Sequence, residues 1–184
     1  IFSKDECELN EVNKKRVNFL EKNNISLYVS HHPLDVHKTI GNSKIMANIL
    51  GLKNQKPFFK MGEYFYGISG AIEININELK LNISKKIGSI LTIHDFGPKL
   101  IKNIAIVSGS GCDAINLMKK DNIDTLITGT PKHHAFYEAR ELGINVLYAG
   151  HYATEVFGVT AIGEKLKNKF NELNILFIDS PTNL

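Results

Sequence analysis

His151 and Glu155, in the run Gly150-His151-Tyr152-Ala153-Thr154-Glu155, stand four residues apart. In a helix that spacing stacks an imidazole and a carboxylate on one face, where they can share a metal ion. The pair also has a plainer reading, an N-terminal helix residue and an acid that suits the helix dipole. A second group of donor side chains occurs at His31-His32-Pro33-Leu34-Asp35-Val36-His37, with three imidazoles and one carboxylate within seven residues. Zinc and similar ions take His nitrogen and Asp oxygen at about 2.0–2.2 Å. In an extended strand His31 and His32 would point to opposite faces, so at most one would reach a given site. A solvated turn accounts for the same composition. Together the two groups form a mixed nitrogen and oxygen donor set, which suits zinc, manganese, iron or cobalt without selecting one.

Three further stretches have chemistry-bearing side chains. Ser108-Gly109-Ser110-Gly111 falls between a strand pattern and a helix pattern, where backbone N–H groups at a helix start can hold an anion. It is neither G-x-G-x-x-G nor a Walker loop, and a tight turn explains its glycines as well. His133 and His134 follow Pro131 at the start of a helical stretch, and at least one is expected to be exposed. Cys112 begins a helix, where a thiol pKa can fall, but no basic partner is evident. No G-x-S-x-G elbow of a serine hydrolase is present.

The elements that must position these groups follow from periodicity. Leu9, Val12, Phe19 and Leu20 among charges mark an amphipathic helix over 9–22. Ile25–Ser30 reads as a strand stopped before Pro33. Ile45, Met46, Ile49 and Leu50 mark a short helix closed by Gly51. Phe58–Met61 and Tyr64–Gly67 read as strands around a turn at Gly62. Ile72–Ile76 alternates, a helix is expected from Asn77 to Lys86, a strand over Ile87–Thr92, and a loop over His94–Pro98. Ile104–Val107, Thr125–Thr128 and Ile144–Tyr148 are short apolar runs, with helical patterns at 114–118 and 132–142 between them. That order is βαβαβ, with right-handed crossovers and a largely parallel sheet. Val156, Val159, Ile162 and Leu166 continue a helix after His151, and Asn174–Ile178 reads as a last strand. In such a sheet, sites form outside the carboxyl ends of the strands. His31, Ser108, Gly129 and His151 all fall at strand ends in this reading.

The 184 residues suffice for a real core, as one domain or two small lobes. A 43% hydrophobic and 22% charged composition is that of an ordinary globular protein. A net charge of +3 is too small to argue for nucleic acid or an anionic membrane. No apolar run approaches the roughly 18 residues of a membrane span. Cys7 and Cys112 form no disulfide framework, so a reducing cytoplasm is the expected location. The chain begins Ile1-Phe2-Ser3-Lys4 without an initiator methionine and reads as a fragment or processed product.

Two stretches carry a resemblance. Tyr28–His37, followed by Gly41-Asn42 and Leu50-Gly51-Leu52, resembles the central motif of the Nif-three-like dinuclear-metal proteins, which include bacterial GTP cyclohydrolase I type 2 homologues. Thr128-Gly129 and Ala149–Glu155 resemble that family's C-terminal signature. The resemblance spans nearly the whole chain. It implies a two-lobed α/β protein, with mixed or largely parallel sheets covered by helices and a two-metal site between the lobes. The first lobe would be 1–52 with 150–184, its N-terminal part missing, and the second 53–149. It implies a toroidal homohexamer and two divalent ions held by Asp35, His151 and Glu155, with Glu155 bridging and His31 a polar outer neighbour.

The implied activity is metal-dependent hydrolysis of GTP at C8 of the purine, giving dihydroneopterin triphosphate and formate. The alternatives are a regulatory or assembly protein without GTP turnover and a nucleotide phosphoesterase. The chain departs from the family pattern in two ways. Family members carry a His-His pair upstream of the central motif, and Asp35, His151 and Glu155 alone supply at most about five donor atoms against about eight for two tetrahedral ions. Thr130 stands where the family usually has an acid.

Overall fold

The computed structural model describes residues 10–88, 90 and 92–182. Cys7 and Leu9 lie outside the described residues. The chain divides into two compact units, Ile1–His31 and His32–Leu184.

In the first unit, α1 spans Glu11–Lys22. Asn10 caps it, its side-chain oxygen accepting the Asn13 N–H at 2.9 Å, which satisfies one of the orphan donors of a helix start. Residues 25–30 do not form the expected strand. Their β-forming side chains stay largely in solvent, Tyr28 being 88% exposed. Strand propensity acts through cross-strand partners, and no described strand pairs with this segment.

The second unit holds a six-stranded sheet in the order β1-β2-β4-β5-β6-β3. Its strands are β1 Lys53–Met61, β2 Tyr64–Asn75, β3 Thr92–Asp95, β4 Leu100–Val107, β5 Thr125–Thr128 and β6 Asn145–Tyr148. β1 and β2 form the hairpin expected around Gly62, and β2 pairs antiparallel with β4. β4, β5 and β6 run parallel, and β3 returns antiparallel along β6. The βαβαβ core is therefore present, with antiparallel strands on both sides of it. The strand expected over 87–92 lies further on: Ile87 and Gly88 are outside any strand, β3 starts at Thr92, and Ser89 and Leu91 lie outside the described residues. His94 and Asp95, expected in a loop, complete β3. The tail 174–178 also pairs with nothing described, and Leu176 and Ile178 are 74% and 82% exposed.

The helices are α2 His32–Asp35, α3 Asn42–Ile49, α4 Ile76–Lys86, α5 Ile115–Met118, α6 His133–Leu142 and α7 His151–Lys169, with a 3-10 turn at Cys112–Ala114 before α5. Successive strand residues face opposite sides of the sheet. Ala105, Val107, Leu126, Val146 and Tyr148 join one core with residues of α5 and α6. Ile104, Ile106, Ile127 and Leu147 join the other with residues of α3, α4 and α7. Burial on both faces explains the unbroken apolar runs of these strands.

His94 sits against the rings of Phe96, Phe136 and Tyr148. Its Nδ1 is 3.2 Å from the Tyr148 hydroxyl. Burial lowers its pKa below the ordinary 6.5, only partly opposed by a hydrogen bond with the backbone of Ala135. The unfolded chain therefore takes up this proton at a higher pH than the native state does. The native advantage is complete above the unfolded pKa and is lost as pH falls through the folded one. Unfolding titrations from about pH 7.5 down to about pH 5 should show falling stability, and His94→Phe should flatten that slope.

Candidate metal centre

The site is built where β4, β5 and β6 end. Their parallel register brings Val107, Thr128 and Tyr148 level. The chain ends beyond them are then stitched together. Gly109 O accepts the N–H groups of Gly129 and Thr130, and Gly129 O accepts that of Gly150. α7 begins directly after, at His151.

His151 and Glu155 both lie in α7, as the i,i+4 reading requires. His151 Nε2 is 3.3 Å from Glu155 Oε2. The other ring nitrogen, Nδ1, is 2.7 Å from Thr130 Oγ1. A hydroxyl both donates and accepts, so Thr130 can hold the ring in either tautomer. The tautomer with hydrogen on Nδ1 leaves the Nε2 lone pair beside Glu155 available to a cation.

Asp35 comes from α2. A carboxylate oxygen of Asp35 and one of Glu155 lie within 4.8 Å of each other. Asn42 Nδ2 donates to Asp35 Oδ1 at 2.8 Å. His31, the remaining residue expected near the site, is the exposed last residue of the first unit. His32 packs edge-on against Tyr66. His37 Nδ1 lies within hydrogen-bond reach of the Thr39 and Ile40 N–H groups. His133 and His134 are exposed on the first turn of α6. Cys112 is buried, and burial pushes its thiol pKa up, contrary to what a nucleophile needs.

The glycine-rich turn has a different task from anion binding. Three of its N–H groups are already bonded: Ser108 to Ser43 Oγ, Gly109 to Thr154 Oγ1, and Gly111 to Thr128 Oγ1. Gly109 has φ +62, and a Cβ there would fall 2.2 Å from Glu155 Oε1 and 3.2 Å from His151 Nε2. The missing side chain is thus the space the two candidate ligands occupy. A carboxylate and an imidazole over a glycine, with a second carboxylate within 4.8 Å of the first, fit a hard or borderline divalent cation. Asp35, His151 and Glu155 would hold it.

Beside His151 and Glu155 opens a cavity of about 920 Å³. Thr130, Val156, Val159, Ile175 and Phe177 are among its lining residues. A smaller cavity of about 180 Å³ adjoins Asp35, with Lys38, Lys44 and Tyr66 in its wall. No helix among the described residues is long and apolar enough to cross a membrane.

Fold and site together define a mixed α/β protein with a carboxylate and imidazole cluster at the carboxyl ends of three parallel strands. The family model Duf34/NIF3 (NGG1p interacting factor 3) matches residues 1–183, and the chain belongs to this family. It is 36% identical over 173 residues to a GTP cyclohydrolase 1 type 2 homolog of Archaeoglobus fulgidus, covering 93% of this chain and 68% of that protein. A homolog of the same name from Deinococcus radiodurans is 35% identical, with 92% and 65% covered. The chain therefore spans about two thirds of the length of these relatives. Among solved structures, TTHA1606 from Thermus thermophilus matches with a TM-score of 0.86 at 34% identity, covering 100% of this chain and 73% of that one. Reduced HcgD from Methanocaldococcus jannaschii matches at 0.77 and 29%, covering 92% and 68%.

Gly109→Ala should place a methyl group into the Glu155 carboxylate and strain a left-handed backbone by about 1–2 kcal/mol. Chemical denaturation should show that loss, and zinc uptake should fall with it. Thr154→Val keeps the shape but leaves the Gly109 N–H without its acceptor. It should cost about 1–3 kcal/mol in the same measurement.

Proposed function

We propose that the protein binds two divalent metal ions through Asp35, His151 and Glu155, and uses them in hydrolysis of a small-molecule substrate, with GTP as the first candidate. The observation that carries this reading is the approach of the Asp35 and Glu155 carboxylates within 4.8 Å, with His151 Nε2 beside Glu155 and a glycine leaving room for Glu155 and His151. Ions bound there would supply Lewis acidity and lower the pKa of water. Zinc, manganese, iron and cobalt all suit such donors.

Within this reading the chain's own groups have defined tasks. Glu155 and Asp35 would hold the ions through their carboxylates, and His151, oriented by Thr130, would supply Nε2. His31 keeps a place as an outer polar neighbour on the sequence resemblance alone. The cavity beside α7 has the volume of a small-molecule site. The overall reaction on GTP consumes water and gives dihydroneopterin triphosphate and formate, in keeping with the names of the relatives. A homohexamer in the cytoplasm completes the proposal.

A second reading has its own support. The N–H groups of Ser108, Gly109 and Gly111 are engaged internally and so are not available to a triphosphate. The larger cavity has largely apolar walls, with Lys167 the single lysine or arginine among the described residues that line it. These features favour a metal-binding regulatory or assembly protein without GTP turnover over the cyclohydrolase. A nucleotide phosphoesterase using the same ions is the third form of the proposal.

Elemental analysis of the full-length protein should find two ions per chain. Glu155→Ala and Asp35→Ala should each weaken uptake by more than the roughly 10–100-fold that loss of an outer-shell partner costs. Metal-free wild type would end the metal reading. Metal-loaded protein that releases neither formate nor a fluorescent pterin from GTP would end the cyclohydrolase form. Phosphate release from nucleotides would then select the phosphoesterase.

A further inference from the structure

Asn42 is the first residue of α3 and is only 3% exposed. A buried carboxamide must find partners for both of its ends. Its Nδ2 donates to Asp35 Oδ1 at 2.8 Å, and its Oδ1 accepts the Gly158 N–H at 2.7 Å. Gly158 lies in α7 at i+7 from His151 and i+3 from Glu155, so the three share one helix face. Asn42 therefore touches α7 on the face that presents the candidate ligands, less than one turn beyond Glu155.

The contact also depends on closeness. A Cβ on Gly158 would meet Leu34 Cγ at 2.7 Å and Asn42 Oδ1 at 3.1 Å. Leu34, adjacent to Asp35, thus packs directly on the backbone of α7, and the hydrogen-bonded path from Asp35 through Asn42 to Gly158 runs alongside. Next to Asn42, Ser43 Oγ bonds to Tyr66 O and to the Ser108 N–H, fixing the start of α3 to β2 and to the end of β4.

We propose that Asn42 is a positioning residue that sets the distance between Asp35 and the ligand face of α7, by holding Oδ1 of Asp35 while its own Oδ1 is anchored on the Gly158 N–H. This rests on the metal-binding reading for its purpose, though not for its geometry. A neutral carboxamide is suited to the task. It holds a carboxylate by donation without adding a positive charge that would compete with the cation.

Two measurements on the full-length protein test this. In the metal-free wild type, the Asn42 side-chain amide protons should be protected from exchange in nuclear magnetic resonance spectra, and Asp35→Ala should remove that protection. Asn42→Leu, similar in volume but without either hydrogen bond, should weaken zinc binding by about 10–100-fold in competition with a chromogenic chelator. Asn145→Ala removes another buried carboxamide, one that bonds to Gly97, Pro98 and Thr125. It should lower the melting temperature while leaving zinc affinity unchanged, which separates positioning from general loss of stability. Unprotected Asn42 amide protons in the wild type, or zinc affinity of Asn42→Leu within twofold of wild type, would overturn the proposal. Protected protons in a wild type that takes up no zinc would uphold the Asp35 contact and remove the metal-binding reading.

Discussion

The structure depends on three parallel strands stopping at the same level. Because β4, β5 and β6 pair in register, their last residues Val107, Thr128 and Tyr148 sit side by side. The next backbone groups can then bond laterally, Gly129 and Thr130 to Gly109 and Gly150 to Gly129. One buried hydroxyl completes the joint. Thr154 Oγ1 accepts the Gly109 N–H, and lies within hydrogen-bond distance of Gly150 O as well. The first turn of α7 is thereby fixed to the end of β4, and the directions of His151 and Glu155 follow. A one-residue slip of any of these strands would invert its faces and misalign the stitched ends.

Two carboxylates close together repel unless something positive lies between them or beside them. Asp35 and Glu155 are delivered by different helices, so their proximity is a tertiary choice and no accident of local spacing. His151 beside Glu155 offsets the charge only when protonated, and a divalent ion would offset it at any pH that leaves the carboxylates ionised.

Much of this was legible from the chain. The apolar runs at 104–107, 125–128 and 144–148 show burial on both sides, and the four-residue spacing of His151 and Glu155 puts them on one helix face. The segments 25–30 and 174–178 misled for a physical reason. Their side chains favour strands, but a strand exists only when it pairs, and pairing is not a property of a segment. The place of β3 beside β6 was hidden likewise, since antiparallel return to a distant strand leaves no mark in local periodicity. Asp35 stood out through motif resemblance, whereas the roles of Asn42, Thr130 and Thr154 depend on partners 7, 21 and 45 residues away. Gly109 was visible in the turn 108–111, but its purpose, space for Glu155, belongs to a helix that begins some forty residues later.

The supporting groups share a chemical character. Asn42, Ser43, Thr128, Thr130 and Thr154 hold the site by neutral donors and acceptors. The formal charge among the candidate ligands is then that of Asp35 and Glu155, about −2, against roughly +4 for the two divalent ions of the proposed function. Incomplete neutralisation is what leaves a bound ion able to polarise water. An acid at position 130 would add negative charge one hydrogen bond behind His151 and make the imidazole a stronger donor. Thr130 keeps the orientation without that charge, so a cation held as proposed would meet less negative charge there than with an acid at this position. Orientation of His151 by a hydroxyl is therefore the physical feature that sets this site apart from one supported by an acid at position 130.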